Sequence, residues 1–207
     1  MFRCVLSMNV SVAVLTVGII QKSFTIESVR LQIVDVGGQD TERRKWITCF
    51  AEVDCVIFVI SLNCYDEMVT SRADTNCMVD ALTLFEETVS NEGLKGMQFI
   101  LFLNKKDLFA NKILKVPITD CPAFADFDQF DDPETIHRNP HDYEQTTSFI
   151  KAKFEAAYRP PTSPNGTAAP SLYTHIICAR DRQSMDEMFK SIKCKIITNN
   201  LHQQELC

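Results

Sequence analysis

Three predominantly apolar segments constrain the fold of this chain more strongly than any other feature. They are residues 53–61 (VDCVIFVIS), 99–103 (FILFL) and 172–178 (LYTHIIC). Such a run is typical of a strand that is buried on both faces. Helical patterns occur at residues 41–50, 74–91, 141–158 and 183–200. This alternation predicts an α/β fold in which helices cover both faces of a mostly parallel sheet.

Shorter segments complete the predicted organisation. Residues 23–26 and 29–34 are β-type stretches that flank Glu27-Ser28, which predicts a hairpin. Residues 116–140 are rich in Asp, Pro and Phe, and we interpret them as a solvated loop. Residues 159–170 (RPPTSPNGTAAP) predict a proline-rich surface loop.

Composition excludes several classes of protein. The chain has 207 residues, 45% of them hydrophobic, and this content suffices for a buried core. Its net charge of −6 argues against a general nucleic-acid binder, because few basic groups are available to neutralise phosphates. The nine cysteines are scattered and contain no C-x-x-C pair, which favours reduced thiols over a disulfide framework or a zinc site.

The N-terminal segment allows two interpretations. Residues 5–20 are largely apolar, and only Arg3 precedes them as a basic residue. This pattern resembles a targeting segment. Alternatively, the segment is a β-rich start of the domain, and the motifs below favour that interpretation. We expect residues 1–15 to form a divergent apolar segment and residues 16–207 to form the main domain.

The first motif with a chemical role directly follows a β-type run: Asp35-Val36-Gly37-Gly38-Gln39. An acidic residue at the carboxyl end of a parallel strand points into the crevice where ligands bind. The two glycines allow backbone N–H groups to approach a bulky anion without a clash from Cβ. On its own the motif is a weak signal, because a glycine pair more often forms only a turn, but its place directly after a β-type run favours an anion-binding site.

The second motif is Asn104-Lys105-Lys106-Asp107, which follows the run at 99–103. A carboxylate offers only acceptors, and guanine presents its ring N1–H and exocyclic amine side by side, so Asp107 can accept both hydrogen bonds. Adenine would place its own acceptor against that carboxylate and be rejected. The aliphatic part of Lys105 can cover the base. These residues predict a guanine pocket.

The third motif, Cys178-Ala179, is short and follows the run at 172–178. Small residues here would let backbone N–H groups reach the O6 atom of a purine. On its own this dipeptide carries little information.

Together these segments resemble the G-protein alpha subunits. The resemblance rests on DVGGQ followed by TERRKWITCF, on FLNKKDLF, and on CA before an amphipathic C-terminal helix that ends in NNL. It covers residues 16–206, with departures in loop length at 116–140 and 159–170. It implies a Ras-like P-loop GTPase-type fold and a guanine-nucleotide switch that transduces signals from G-protein-coupled receptors. The implied ligands are GTP or GDP and Mg²⁺.

The resemblance also implies roles for individual residues. The implied nucleotide-binding residues are Asp35, Val36, Gly37, Gly38, Gln39, Asn104, Lys105, Lys106, Asp107, Cys178 and Ala179. Gln39 would be catalytic by orienting the attacking water, Thr16 would bind magnesium, and Asp35 would hold the ion through water. Arg43, Arg44 and Trp46 would face the beta/gamma dimer, and Leu201 and Leu206 would face the receptor.

The remaining partner is a downstream effector, and the implied location is the cytoplasmic, inner face of the plasma membrane. The chain does not begin with Met-Gly, so a myristoylation signal is not expected.

The departures from the family concern the motifs that bind the phosphates of the nucleotide. The six glycines lie at 18, 37, 38, 93, 96 and 166, so the P-loop pattern G-x-x-x-x-G-K-[ST] does not occur. Ala13 stands where the family has its switch arginine, and the inserted helical domain is also missing. We therefore expect a domain truncated at its N-terminus, a sheet without its first strand, and impaired GTP binding and hydrolysis.

Two alternatives to a switch remain open. One is a nucleotide-free interaction module that competes for the beta/gamma dimer or the receptor. The other is a secreted or membrane-anchored domain that uses residues 4–20 for targeting.

Overall fold

The computed structural model of the chain describes residues 2–9, 18–26, 29–37, 53–70, 72–94, 97–130, 137–158, 172–183, 185, 186 and 189. The predicted helix at 41–50 lies outside these residues, as does most of the predicted helix at 183–200.

Eight strands lie in the described part of the chain, six of them in one sheet. Those six are β1 (Phe2–Asn9), β2 (Ile19–Ile26), β3 (Val29–Val36), β4 (Cys55–Ser61), β7 (Gln98–Asn104) and β8 (Tyr173–Ile176). Their order in the sheet is β2-β3-β1-β4-β7-β8. Strand β2 pairs antiparallel with β3, and the other neighbours pair parallel. A separate ribbon contains β5 (Met68–Val69) and β6 (Arg72–Asn76). The predicted hairpin and the two buried strands predicted at 53–61 and 99–103 are therefore confirmed. The run at 172–178 also contains a strand, but the expectation that it is buried on both faces is wrong: β8 is half-buried to exposed, because it lies at the end of the described sheet.

The expectation that the sheet lacks its first strand is wrong. Strand β1 lies inside the sheet, where Cys4 is paired with Ile33 of β3 and with Cys55 of β4. Pairing depends on β-forming residues such as those in FRCVLSMN, and it does not require a phosphate-binding loop afterwards. The chain thus has the strand but, by its sequence, not the P-loop motif that would follow it.

Three α-helices with complete bounds lie in the described part of the chain and flank the sheet: α1 (Cys77–Val89), α2 (Lys106–Ile113) and α3 (Tyr143–Ala157). Helix α1 begins where the Asn76 side chain accepts hydrogen bonds from the backbone N–H groups of Met78 and Val79. Helix α3 begins in the same way, since Asp142 accepts from Gln145 N at 2.9 Å. The predicted helices at 74–91 and 141–158 are confirmed with shorter bounds, whereas α2 was not predicted.

Strand β4 is buried on both faces, as its continuous apolar sequence predicts. Alternate residues enter one of two hydrophobic clusters, with Val56, Phe58 and Ile60 on one face and Cys55, Ile57 and Val59 on the other. Phe58 packs edge-on against Phe85 of α1 with ring centres 5.2 Å apart, and Phe85 packs against Phe154 of α3 at 5.5 Å. These aromatic contacts fix α1 and α3 against the same face of the sheet.

The interpretation of residues 116–140 as a solvated loop is wrong for its described part. Three 3-10 turns occur there: Ile118–Asp120, Pro122–Phe124 and Phe127–Gln129. Phe124 and Phe127 are fully buried, and their rings lie 5.6 Å and 5.2 Å from the ring of Phe149 in α3. The aromatic residues of this acidic segment thus extend the hydrophobic core.

The described helices are all too short or too polar to traverse a lipid bilayer.

Candidate functional site

The carboxyl ends of β7 and β8 bring the second and third motifs together. Ile177 N donates to Leu103 O at 2.8 Å, and Lys106 N donates to Ile177 O at 3.2 Å. Ile177, the residue before Cys178-Ala179, therefore continues the strand pairing into the loop. Sequence reasoning missed this role, although the position directly before the dipeptide could have suggested it.

The side chain of Asn104 joins the two loops. Its Oδ1 atom accepts a hydrogen bond from Lys105 N at 2.7 Å and another from Ala179 N at 3.0 Å. The second bond spans 75 positions of sequence. Asn104 thus holds the start of the second motif against the third, and the N–H group of Ala179 already has an acceptor.

Lys105 has a left-handed backbone conformation, with φ 63° and ψ 37°. It is the sole non-glycine residue with positive φ in the described part of the chain. This conformation costs an L-residue about 1–2 kcal/mol, and such strain concentrates at functional sites. The reversal at Lys105 lets α2 begin at Lys106 and places the exposed Asp107 in the first helical turn.

The segment after β4 packs against α2 through a half-buried lysine. Lys112 Nζ donates to Asn63 O at 2.7 Å, to Asp66 Oδ1 at 2.5 Å and to Glu67 Oε1 at 2.9 Å. Burial alone lowers the pKa of Lys112, but the two carboxylates outweigh burial and raise it. The charged lysine therefore fixes α2, and with it Asp107, against the end of β4.

The first motif lies at the same edge of the sheet. Asp35 and Val36 end β3, and they pair with Leu6 and Ser7 of β1. Because β3, β1, β4 and β7 run parallel, Asp35 and Asn104 both lie at carboxyl ends. Three strand spacings of about 4.8 Å separate β3 from β7, or roughly 14 Å. Gly37 follows β3 and is buried.

The other predicted site residues lie outside the described residues. They are Thr16, Gly38, Gln39, Arg43, Arg44, Trp46, Leu201 and Leu206. Within the described part of the chain, no three His, Cys, Asp or Glu side chains come close enough together to hold a metal ion. The described site thus contains the predicted base pocket in full and the predicted phosphate and metal region in part.

Comparison with known proteins agrees with this geometry. A model of the G-protein alpha subunit family matches residues 6–196. The chain belongs to the G-protein alpha subunit family. The mostly parallel sheet flanked by helices is that expected of this Ras-like α/β fold, so the predicted fold class is confirmed.

Individual G-protein alpha subunits give the same result. The chain is 37% identical to the guanine nucleotide-binding protein alpha-2 subunit of Caenorhabditis briggsae, over 92% of this chain and 48% of that protein. It is also 37% identical to the alpha-12 subunit of Dictyostelium discoideum, over 91% and 48%, and to the G(o) subunit alpha of Caenorhabditis elegans, over 90% and 47%. The chain spans about half the length of these relatives.

Proposed function

We propose that this chain binds guanine nucleotides through their base. The observation that carries the proposal is the bridge from Asn104 Oδ1 to Lys105 N and Ala179 N, which assembles both base-binding motifs at one edge of the sheet. Asp107 would accept hydrogen bonds from the two adjacent donors of guanine. The Lys105 side chain would cover one face of the ring.

One backbone N–H group of the third motif, that of Ala179, already has a hydrogen-bond acceptor. Ala179 N–H donates to Asn104 Oδ1 at 3.0 Å. A purine O6 atom that approaches this N–H group therefore competes with Asn104, or shares the donor with it. Cys178 and Ala179 would serve the base mainly through their small size and their backbone.

The first motif is the part of the site that we propose to contact the phosphates of the nucleotide. Asp35, Gly37 and Gly38 would lie beside the γ-phosphate, Gln39 would orient water, and Thr16 with Asp35 would hold Mg²⁺. The ion would supply positive charge against the phosphates. The described residues contain only Asp35 of the proposed magnesium pair, and the sequence contains no P-loop lysine. We therefore propose weak phosphate binding and negligible hydrolysis of GTP.

The partners follow from the family and are part of the proposal. Arg43, Arg44 and Trp46 would contact a beta/gamma dimer, and the tail with Leu201 and Leu206 would contact a G-protein-coupled receptor. A downstream effector and a position at the cytoplasmic, inner face of the plasma membrane complete the role. The alternative function is a nucleotide-free module that competes for the dimer or the receptor, and the missing P-loop motif favours it.

Calorimetry with GDP and ADP tests base recognition. We expect the wild-type chain to prefer GDP, and Asp107→Ala to lose about 1.5–3 kcal/mol of GDP affinity, which is roughly 10- to 150-fold. Asp128→Ala is the matched control, because Asp128 is also an exposed aspartate but lies in the turn Phe127–Gln129. Equal binding of GDP and ADP by the wild-type chain would refute the base pocket. No binding of either nucleotide would favour the interaction module.

A further inference from the structure

Tyr65, Asp66 and Glu67 form the root of the β5–β6 ribbon, because β5 begins directly after them. Residues at the start of α1 hold this ribbon root in place. Asn76 Nδ2 donates to Tyr65 O at 2.7 Å, and Cys77 N donates to Glu67 O at 2.8 Å. The two carboxylates of the ribbon root therefore extend from a fixed backbone.

The ribbon root contacts one side of α2. Lys112 Nζ donates to Asp66 Oδ1 at 2.5 Å and to Glu67 Oε1 at 2.9 Å. The fully buried ring of Tyr65 packs edge-on against the ring of Phe109, with the ring centres 5.6 Å apart. Phe109 and Lys112 are three positions apart, so both side chains lie on the same side of the helix. A charged contact and an aromatic contact thus join the ribbon root to α2.

Helix α2 depends on such contacts because it is short. It has eight residues, and helices of fewer than about 12 residues are marginal on their own in water. Its N-terminal end is attached to the sheet, since Lys106 N donates to Ile177 O at 3.2 Å. An attachment at one end does not fix the rotation of the helix about its own axis. The contacts with the ribbon root restrain that rotation.

The rotation of α2 determines where the carboxylate of Asp107 points. Asp107 is exposed in the first turn, and none of the described residues forms a hydrogen bond or an ion pair with its carboxylate. A carboxylate about 5 Å from the helix axis moves by roughly 1.7 Å when the helix rotates by about 20°. A shift of that size is enough to break a hydrogen bond of about 2.9 Å to a base.

We propose, on the basis of the proposed function in which Asp107 accepts hydrogen bonds from guanine, that Asp66 and Glu67 are positioning residues for base recognition. Through Lys112 they restrain the rotation of α2, and so they aim the Asp107 carboxylate at the ring N1–H and the exocyclic amine of the base. Neither Asp66 nor Glu67 belongs to the proposed pocket. The ribbon root thus sets how strictly the pocket selects guanine over a purine that lacks the amine.

Inosine diphosphate is the probe, because its base is guanine without the exocyclic amine. Calorimetry on the full wild-type chain should show roughly tenfold tighter binding of GDP than of inosine diphosphate, the effect of one hydrogen bond to a charged group. The ratio should fall to roughly threefold or less in Lys112→Met and in the double variant Asp66→Asn with Glu67→Gln, because the carboxylate is no longer aimed at the amine. Lys112→Arg keeps the charge and should stay within about twofold of the wild-type ratio.

Lys153→Met is the matched control. The side chain of Lys153 is 29% exposed, against 25% for Lys112, and it also forms an ion pair, with Asp126. Its Nζ lies 5.2 Å from the centre of the Phe149 ring, much as Lys112 Nζ lies 5.7 Å from that of Tyr65. Lys153 belongs to α3, however, so Lys153→Met should keep the wild-type ratio of the two affinities. A general loss of stability is thereby separated from a loss of positioning.

Hydrogen exchange without nucleotide gives a second measurement. Phe109 N donates to Lys105 O at 3.0 Å within the first turn of α2. Lys112→Met should increase the exchange rate of this amide by roughly tenfold, whereas Lys153→Met should leave it unchanged.

The outcomes separate the positioning role from the pocket itself. If the wild-type chain prefers GDP to ADP and to inosine diphosphate, and Lys112→Met keeps both preferences, the positioning role is overturned and the base pocket stands. If the wild-type chain binds the three nucleotides equally or not at all, the base pocket is overturned, and the positioning role with it. Unchanged exchange of the Phe109 amide in Lys112→Met would overturn the positioning role whichever nucleotide binds.

Discussion

Asn104→Ala should loosen the junction of the two loops that contain the second and third motifs. The wild-type side chain accepts hydrogen bonds from Lys105 N at 2.7 Å and from Ala179 N at 3.0 Å. Alanine removes the shared acceptor and leaves both N–H groups without it. The left-handed conformation of Lys105 then loses part of the support that compensates for its strain.

The size of the effect follows from the exposure of the two bonds. Each net hydrogen bond contributes about 0.5–1.5 kcal/mol, and an unpaired buried donor costs more. The bond to Lys105 is partly buried, but Ala179 is exposed, so water can replace Asn104 there. We therefore expect the free energy of unfolding to fall by about 1–2 kcal/mol. For a chain of this length, the melting temperature should fall by roughly 2–8 °C.

Urea denaturation of three variants tests this reasoning. Asn104→Asp keeps an oxygen acceptor and should remain within about 0.5 kcal/mol of the wild-type chain. Asn111→Ala removes an exposed amide that donates to Asp107 O at 2.9 Å, and it should change stability by less than about 0.5 kcal/mol. The reasoning is refuted if Asn104→Ala is as stable as the wild-type chain. It is also refuted if Asn104→Asp loses as much stability as Asn104→Ala.

Three further predictions concern the core, pH and hydrolysis. Phe149→Ala should reduce the free energy of unfolding by about 3–5 kcal/mol, because Phe149 is 2% exposed; a loss below about 1 kcal/mol in urea denaturation would contradict its place in the core. Lys112 has a raised pKa in the folded state, so its stabilisation is present below pH ~10.4 and is lost as pH rises further. Melting curves should show a smaller alkaline loss for Lys112→Met than for the wild-type chain, and equal losses would contradict the ion pairs with Asp66 and Glu67. Single-turnover assays of the wild-type chain should show no more GTP hydrolysis than assays of the Gln39→Leu variant, because a positioning error of about 1 Å can lower the rate a hundredfold. Magnesium-dependent turnover by the wild-type chain that the variant lacks would refute this prediction.

The strands were predicted better from the sequence than the helices and turns between them. Strands β4 and β7 have no polar residue between their first and last positions, so burial on both faces left few alternatives. Helix α2 was missed because its first residues belong to the Asn104-Lys105-Lys106-Asp107 motif, which was interpreted for its chemistry and not for its secondary structure. Its eight residues are also too few for a clear helical period.

The acidic segment shows a different limit. Its aspartates predict solvation, but burial is decided by the phenylalanines between them, and these need Phe149 as a partner about 20 positions away. Local composition contains no information about that partner. In the site, the residues proposed to bind the base came from their motifs, whereas the bridge from Asn104 to Ala179 connects loops 75 positions apart and required the fold.

The central position of β1 has a consequence for how the chain folds. Cys4 pairs with Cys55, a separation of 51 positions (55 − 4), and no other strand joins the β2–β3 hairpin to β4, β7 and β8 within the described sheet. Until β1 inserts, the β2–β3 hairpin and the unit of β4, β7 and β8 each have an edge strand without a partner. For the second unit that edge is β4, whose residues are all buried in the folded chain. Long-range parallel pairing forms slowly because its loop-closure entropy is lost before the contacts are gained. The first described strand of the sequence is therefore among the last to find its place in the sheet, and during that interval β4 can pair with a second chain and start aggregation.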